Sequence, residues 1–205
     1  ETVPGKKDAV VYPFGYGLSY TTFDISVCGA YESDDKIFVN VNVKNTGGFC
    51  GKEVVQLYYS APNGKITKPY MELCAFKKTK LLSPGETQNL VLSFNIAAMA
   101  CYDDMGDVEK SAYVLEKGRY KIFVGNSVRN TTEIPFKFEL KENKITQKLS
   151  ELCAPSKLDK RLTASGEYIK LNTQEARVKE YSCEYKNLAK IPQDEKEIKK
   201  LADVV

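Results

Sequence analysis

Histidine and tryptophan are both missing from these 205 residues. Without histidine the chain lacks the commonest general base, and with it the Ser-His and Cys-His nucleophile arrangements. The imidazoles of the usual zinc sites are missing too, and the six cysteines, at positions 28, 50, 74, 101, 153 and 183, form no C-x-x-C pair. No apolar run approaches the roughly 18 residues that cross a bilayer, and the amino terminus lacks the basic stub and apolar stretch of a secretory signal. The chain opens on Glu1 rather than methionine, which leaves room for a segment upstream. A surplus of one charge is also lacking: 30 Lys and Arg are interleaved with 27 Asp and Glu, so neither nucleic acid nor membrane is expected as a partner. A chain this long buries a core without staples, so the thiols are expected reduced and the protein cytoplasmic, as one domain with an appendage.

The chemistry that survives these absences belongs to carboxylates, which can act in pairs on glycosidic bonds. The adjacent acids are Asp34 with Asp35 and Asp103 with Asp104, each pair in a polar, turn-like context. That context reads as solvated loop acids. No metal and no cofactor is expected.

From about residue 22 to 140 the apolar residues recur with period two, the signature of half-buried antiparallel strands. In KIFVNVNVKN, Ile37, Val39, Val41 and Val43 share one face, and Asn40, Asn42 and Lys44 share the other with Phe38. EVVQLYYS, ELCAFKKTKL, QNLVLSFNI, RYKIFVGN, IPFKFEL and the opening TFDISVCGAY behave alike, giving about seven strands. Between them NTGG, APNG, SPGE and EKG supply turn chemistry. The predicted fold is all-β, a seven-stranded antiparallel immunoglobulin or fibronectin type III-like sandwich over residues 22–141. Residues 97–118 are too long for a hairpin and read as a crossover between sheets, with Met99, Tyr102, Tyr113 and Leu115 plugging the core.

After residue 141 the spacing changes. Ile145, Leu149 and Leu152 fall at helical intervals, and after Pro192 a helix capped by Asp194 would align Ile198, Leu201 and Val205. Residues 142–205 are therefore expected to be a partly helical or irregular connector. Residues 1–21 form the other appendage. There VVYPFGYGLSYTTF carries five aromatic rings, two glycines, a proline and no charge in fourteen positions. Gly15 and Gly17 suit tight turns, while Tyr12, Phe14, Tyr16, Leu18 and Tyr20, with Pro13 between, offer more apolar area than one short segment can bury alone. The ribbon reads as an inter-domain docking seam, the alternative being that its rings only close the bottom of the sandwich core. Asn130, in Asn-Thr-Thr, fits a glycosylation acceptor by pattern alone.

YPFGYGLSYTTF followed by VNVKNTG, GKEVVQLYYS, FKKTKLLSPGET and GRYKIFVGNS resembles the end of the glycosidase sandwich domain and the fibronectin type III-like domain of glycoside hydrolase family 3, the family of β-glucosidases. TASGEYIKLN and EIKKLADVV look like the passage to a downstream barrel in domain-permuted bacterial members. The absence of tryptophan from the crossover departs from many relatives, and Tyr113 would fill that space. The resemblance implies that the catalytic carboxylates reside on other domains of the parent chain, so none is assigned here. It implies a non-catalytic module that stabilises and orients those catalytic domains, its partners, during β-glucoside hydrolysis. The alternative is an oligosaccharide-binding module using Tyr58 or Tyr59 of LYYS for weak carbohydrate contact. An adhesion domain rests on fold analogy alone.

Overall fold

The computed structural model describes residues 10–151, 159–162 and 167–171. Thirteen strands occur among them: β1 (Phe23–Ser33), β2 (Lys36–Asn45), β3 (Val54–Ser60), β4 (Glu72–Lys78), β5 (Thr87–Asn95), β6 (Cys101–Asp103), β7 (Ala112–Leu115), β8 (Gly118–Ser127), β9 (Asn130–Glu133), β10 (Phe138–Leu140), β11 (Lys144–Lys148), β12 (Lys160–Leu162) and β13 (Tyr168–Lys170). The seven expected strands are β1 to β5, β8 and β10. The remaining six correct the expected count.

Two antiparallel sheets make the sandwich. One has the order β1-β2-β5, the other β10-β8-β3-β4, with β9 also paired to β8. Period-two patterning explains the first sheet directly. Ile37, Val39, Val41 and Val43 are buried, as are Leu90, Leu92 and Phe94 across from them on β5, and these side chains meet Val55, Leu57, Tyr59, Tyr120, Ile122 and Val124 of the second sheet in one core. Tyr120 packs edge-on against Phe138, with ring centroids 5.6 Å apart.

Tight junctions hold the strands in register. Asp34 and Asp35 link β1 to β2 with φ of 51° and 57°, the left-handed pair that a two-residue hairpin turn of type I′ demands. Asn45, fully buried at the end of β2, donates to the carbonyls of Phe49 (2.8 Å) and Leu82 (2.9 Å) and accepts from Thr21 Oγ1 (2.7 Å) and Gly47 N–H (3.1 Å). All its amide hydrogen-bonding capacity is met inside the fold, which makes it a polar pin at the sandwich end.

The segment expected to cross between sheets does something else. After a 3₁₀ turn at Ile96–Met99 it folds back as the β6–β7 hairpin, and β11 joins the far edge of β7 to give a small third sheet, β11-β7-β6. Met99 and Leu115 do enter the main core, but Tyr102 and Tyr113 are cross-strand partners at the surface, their centroids 5.4 Å apart. The third sheet buries Ala112 and Val114 with Ile66 in a separate cluster. Loop 104–111 between its strands is organised by Asp103. This buried carboxylate accepts the N–H groups of Gly106 (2.8 Å), Asp107 (3.1 Å), Val108 (2.7 Å) and Glu109 (2.8 Å).

The extension also departs from expectation. Ile145 lies on strand β11 rather than a helix, because the open edge of β7 offers backbone partners that an isolated helical turn lacks. Leu149 follows with its N–H on the Ser111 carbonyl at 2.8 Å. Leu152, Asp194, Ile198, Leu201, Val205, Cys153 and Cys183 lie outside the described residues. β12 and β13 form a hairpin, tied to the loop after β6 by Arg161 Nη2, which donates to both carboxylate oxygens of Asp104 at 2.7 and 3.0 Å.

Candidate docking surface

The uncharged ribbon lies on the outer face of the second sheet. Its chain direction is set by a turn closed by Tyr16 N–H on the Pro13 carbonyl at 3.0 Å, with Gly15 at φ 79° in the position of a type II turn that needs a left-handed residue. Gly15 is required twice over, because a Cβ there would stand 2.0 Å from Gln56 Oε1. Gly17 differs: its φ is not left-handed and a Cβ would meet no atom within 4 Å, so the expectation of a second tight turn there is corrected.

Gln56 fastens the ribbon. Its Nε2 donates to the Gly15 carbonyl (2.9 Å) and to the Asn126 carbonyl (2.7 Å), while its Oε1 accepts the Tyr58 hydroxyl (2.5 Å). Val128 N–H adds a bond to the Phe14 carbonyl at 2.9 Å. The one sign of Gln56 in the sequence is an amide set within the apolar run VVQLYY, a polar group that burial obliges to find partners.

These bonds use the ribbon's backbone and leave its side chains outward. Tyr12 and Tyr16 stack on each other at 5.5 Å and stay exposed, Leu18 is 88% exposed and Tyr20 97%. Phe14 meets Tyr58 edge-on at 6.4 Å yet remains largely exposed, and Pro13 is half-buried. On the same sheet face Phe76, the β4 partner of Gln56, is also exposed. The result is a run of exposed apolar side chains on one face of the sandwich.

Neither ring of LYYS is available for sugar contact. Strand β3 is covered on both faces: Tyr58, on the outer face beneath the ribbon, is 1% exposed and Tyr59, in the core between the sheets, 5%. Tyr59 hydroxyl donates to Glu72 Oε1 at 2.9 Å, and burial, with that carboxylate beside it, drives its pKa well above the usual phenol range.

The adjacent acids that the sequence singled out have structural partners or positions. Asp34 and Asp35 are turn residues, Asp103 is enclosed by backbone donors and Asp104 is engaged by Arg161. The buried Glu116 carboxylate accepts Lys65 N–H (2.7 Å) and Ile66 N–H (3.3 Å) and pairs with the shielded Lys68 ammonium, which fixes the loop between β3 and β4. Among the described residues no group of three or more His, Cys, Asp or Glu side chains could hold a metal ion, and no helix is long and apolar enough to cross a membrane. The described thiols, Cys28, Cys50, Cys74 and Cys101, are free, and burial pushes the Cys74 thiol up to about 12.

Known proteins share this geometry. Residues 53–128 match the family model of the fibronectin type III-like domain. The chain is 46% identical over 186 residues to Beta-glucosidase A of Butyrivibrio fibrisolvens, covering 83% of this chain and 22% of that protein. It is 43% identical over 162 residues to a β-glucosidase of Ruminococcus albus, covering 78% and 17%. The crystal structure of a β-glucosidase from Paenibacillus barengoltzii matches with a TM-score of 0.73 at 41% identity, over 83% of this chain and 20% of that one. The chain thus spans about a fifth of the length of the curated relatives it matches.

Proposed function

The chain is a fibronectin type III-like β-sandwich homologous to part of the glycoside hydrolase family 3 β-glucosidases, and from that premise we propose that it is a non-catalytic module which stabilises and orients the catalytic domains of such an enzyme. The observation that carries this reading is the ribbon. Its backbone is fastened by Gln56 and Val128 while its aromatic side chains point away from the sandwich, a disposition that favours contact with a neighbouring domain. The catalytic carboxylates belong to the remaining four-fifths or so of a protein of the relatives' length. An oligosaccharide-binding role through LYYS loses its support, since both tyrosines are enclosed.

Two measurements test the reading. Highly purified chain leaves an aryl β-glucoside intact, and turnover above a buffer blank overturns its non-catalytic character. In a full-length enzyme carrying this chain, the Phe14→Ser, Tyr16→Ser double variant lowers the melting temperature and kcat together, while the same double variant of the isolated chain melts within a few degrees of wild type. Unchanged melting and activity in the full-length enzyme would sink the docking role.

A further inference from the structure

The outer face of the β1-β2-β5 sheet, on the side of the sandwich away from the ribbon, carries an uncharged window in a chain that is 28% charged. Register defines it. One row sets Tyr31, Phe38 and Ser93 side by side, and another sets Ser26, Asn42 and Asn89. Between them lies the row of Gly29, where a Cβ would meet nothing within 4 Å, Asn40 and Val91. Charge returns only at the borders, with Lys36 beyond one row, Asp24 and Lys44 beyond the other, and Lys77 of β4, whose Nζ donates to the Val91 carbonyl at 3.3 Å.

An outward sheet face that needs only to stay solvated ordinarily carries Lys and Glu. Here it carries amides and hydroxyls, with a pair of parallel rings at one end: Tyr31 and Phe38 stack at 5.0 Å with 7° between planes, and Tyr31 is still 48% exposed. Asn42 Oδ1 is buried and accepts no hydrogen bond, a cost that rotation of the amide toward an incoming hydroxyl would remove. At the usual strand separation and rise, three strands and three rows cover about 10 Å by about 14 Å.

We propose that this window binds a neutral oligosaccharide, with Tyr31 stacking on a sugar face and Asn42, Asn40 and Asn89 exchanging hydrogen bonds with its hydroxyls. Neutral polyols match the window's lack of charge, the ring takes the apolar face of a pyranose, and the amides can both donate and accept. The site is independent of the docking role and lies on a different face.

Affinity electrophoresis tests it, with the chain run in native gels containing laminarin or hydroxyethylcellulose. The wild type is retarded. Tyr31→Ala and Asn42→Ala each weaken the apparent affinity at least fivefold, Tyr31→Phe retains it, and the Phe14→Ser, Tyr16→Ser double variant behaves as wild type. Absence of retardation by either glucan, or equal retardation of Tyr31→Ala and wild type, overturns the site. So does loss of maleimide labelling at Cys28, exposed at the β1 bulge beside the window, when the chain is part of the full-length enzyme, because a protein neighbour then covers this face.

Discussion

Two glycines separated by one residue face opposite fates. Gly15 holds a left-handed φ and leaves no space for a methyl group against Gln56, whereas Gly17 has neither constraint. Gly15→Ala should therefore cost about 1–2 kcal/mol and loosen the ribbon, while Gly17→Ala stays within about 0.5 kcal/mol of wild type. Urea denaturation of both variants measures the contrast. Asp103 shows how a buried charge is accommodated: burial pushes its pKa up, but four backbone N–H donors outweigh that and hold it below the usual carboxylate value. A lowered folded-state pKa means the carboxylate's stabilisation is present above the unfolded value of about 3.9 and is lost as pH falls through the folded one. The melting temperature of Asp103→Asn should lie below wild type at pH 7, and the gap should narrow below about pH 4. A gap that is constant with pH would contradict this account. Neither behaviour was legible in the sequence, where Asp103 with Asp104 and Gly15 with Gly17 look like equivalent neighbours.

Strand β2 is the most legible element, because its alternation maps onto a buried and a solvated face, with Phe38 on the outer face and Asn45 on the buried one as the two departures in residue type. Strand β3 is less so. Its run VVQLYY carries apolar residues on both faces, and the outer cover comes from a ribbon more than thirty residues earlier in the chain. The third sheet was illegible for a related reason: β6 and β7 have three and four residues, too few to register a period, and β11 is stabilised by an edge that sequence spacing does not reveal. The β1–β2 turn offers a test at this scale. Asp34 and Asp35 both sit at positive φ, where asparagine and glycine fit better, so replacing them by Asn and Gly should stabilise the chain by roughly 1 kcal/mol. The linear-extrapolated free energy in urea reports the gain, and a loss of stability would mean that the turn is not of type I′.

For the molecule as a whole, the sandwich was readable from patterning and turns, and the exposed character of the ribbon from an excess of rings over available partners. The residues that fasten the ribbon were not, since Gln56 and Val128 are distant in sequence and carry no motif. An apolar surface held open by hydrogen bonds rather than collapsed onto the core should bind hydrophobic dyes. Fluorescence of such a dye with the isolated chain should fall by at least half in a Tyr12→Ser, Tyr16→Ser, Leu18→Ser triple variant of unchanged melting temperature, and equal fluorescence would show that the surface lies elsewhere.

The bond between Val128 N–H and the Phe14 carbonyl also sets a load path. Traction on residue 10 is delivered to the bend between β8 and β9, and through Gly15 and Gln56 to strand β3, before it reaches β1.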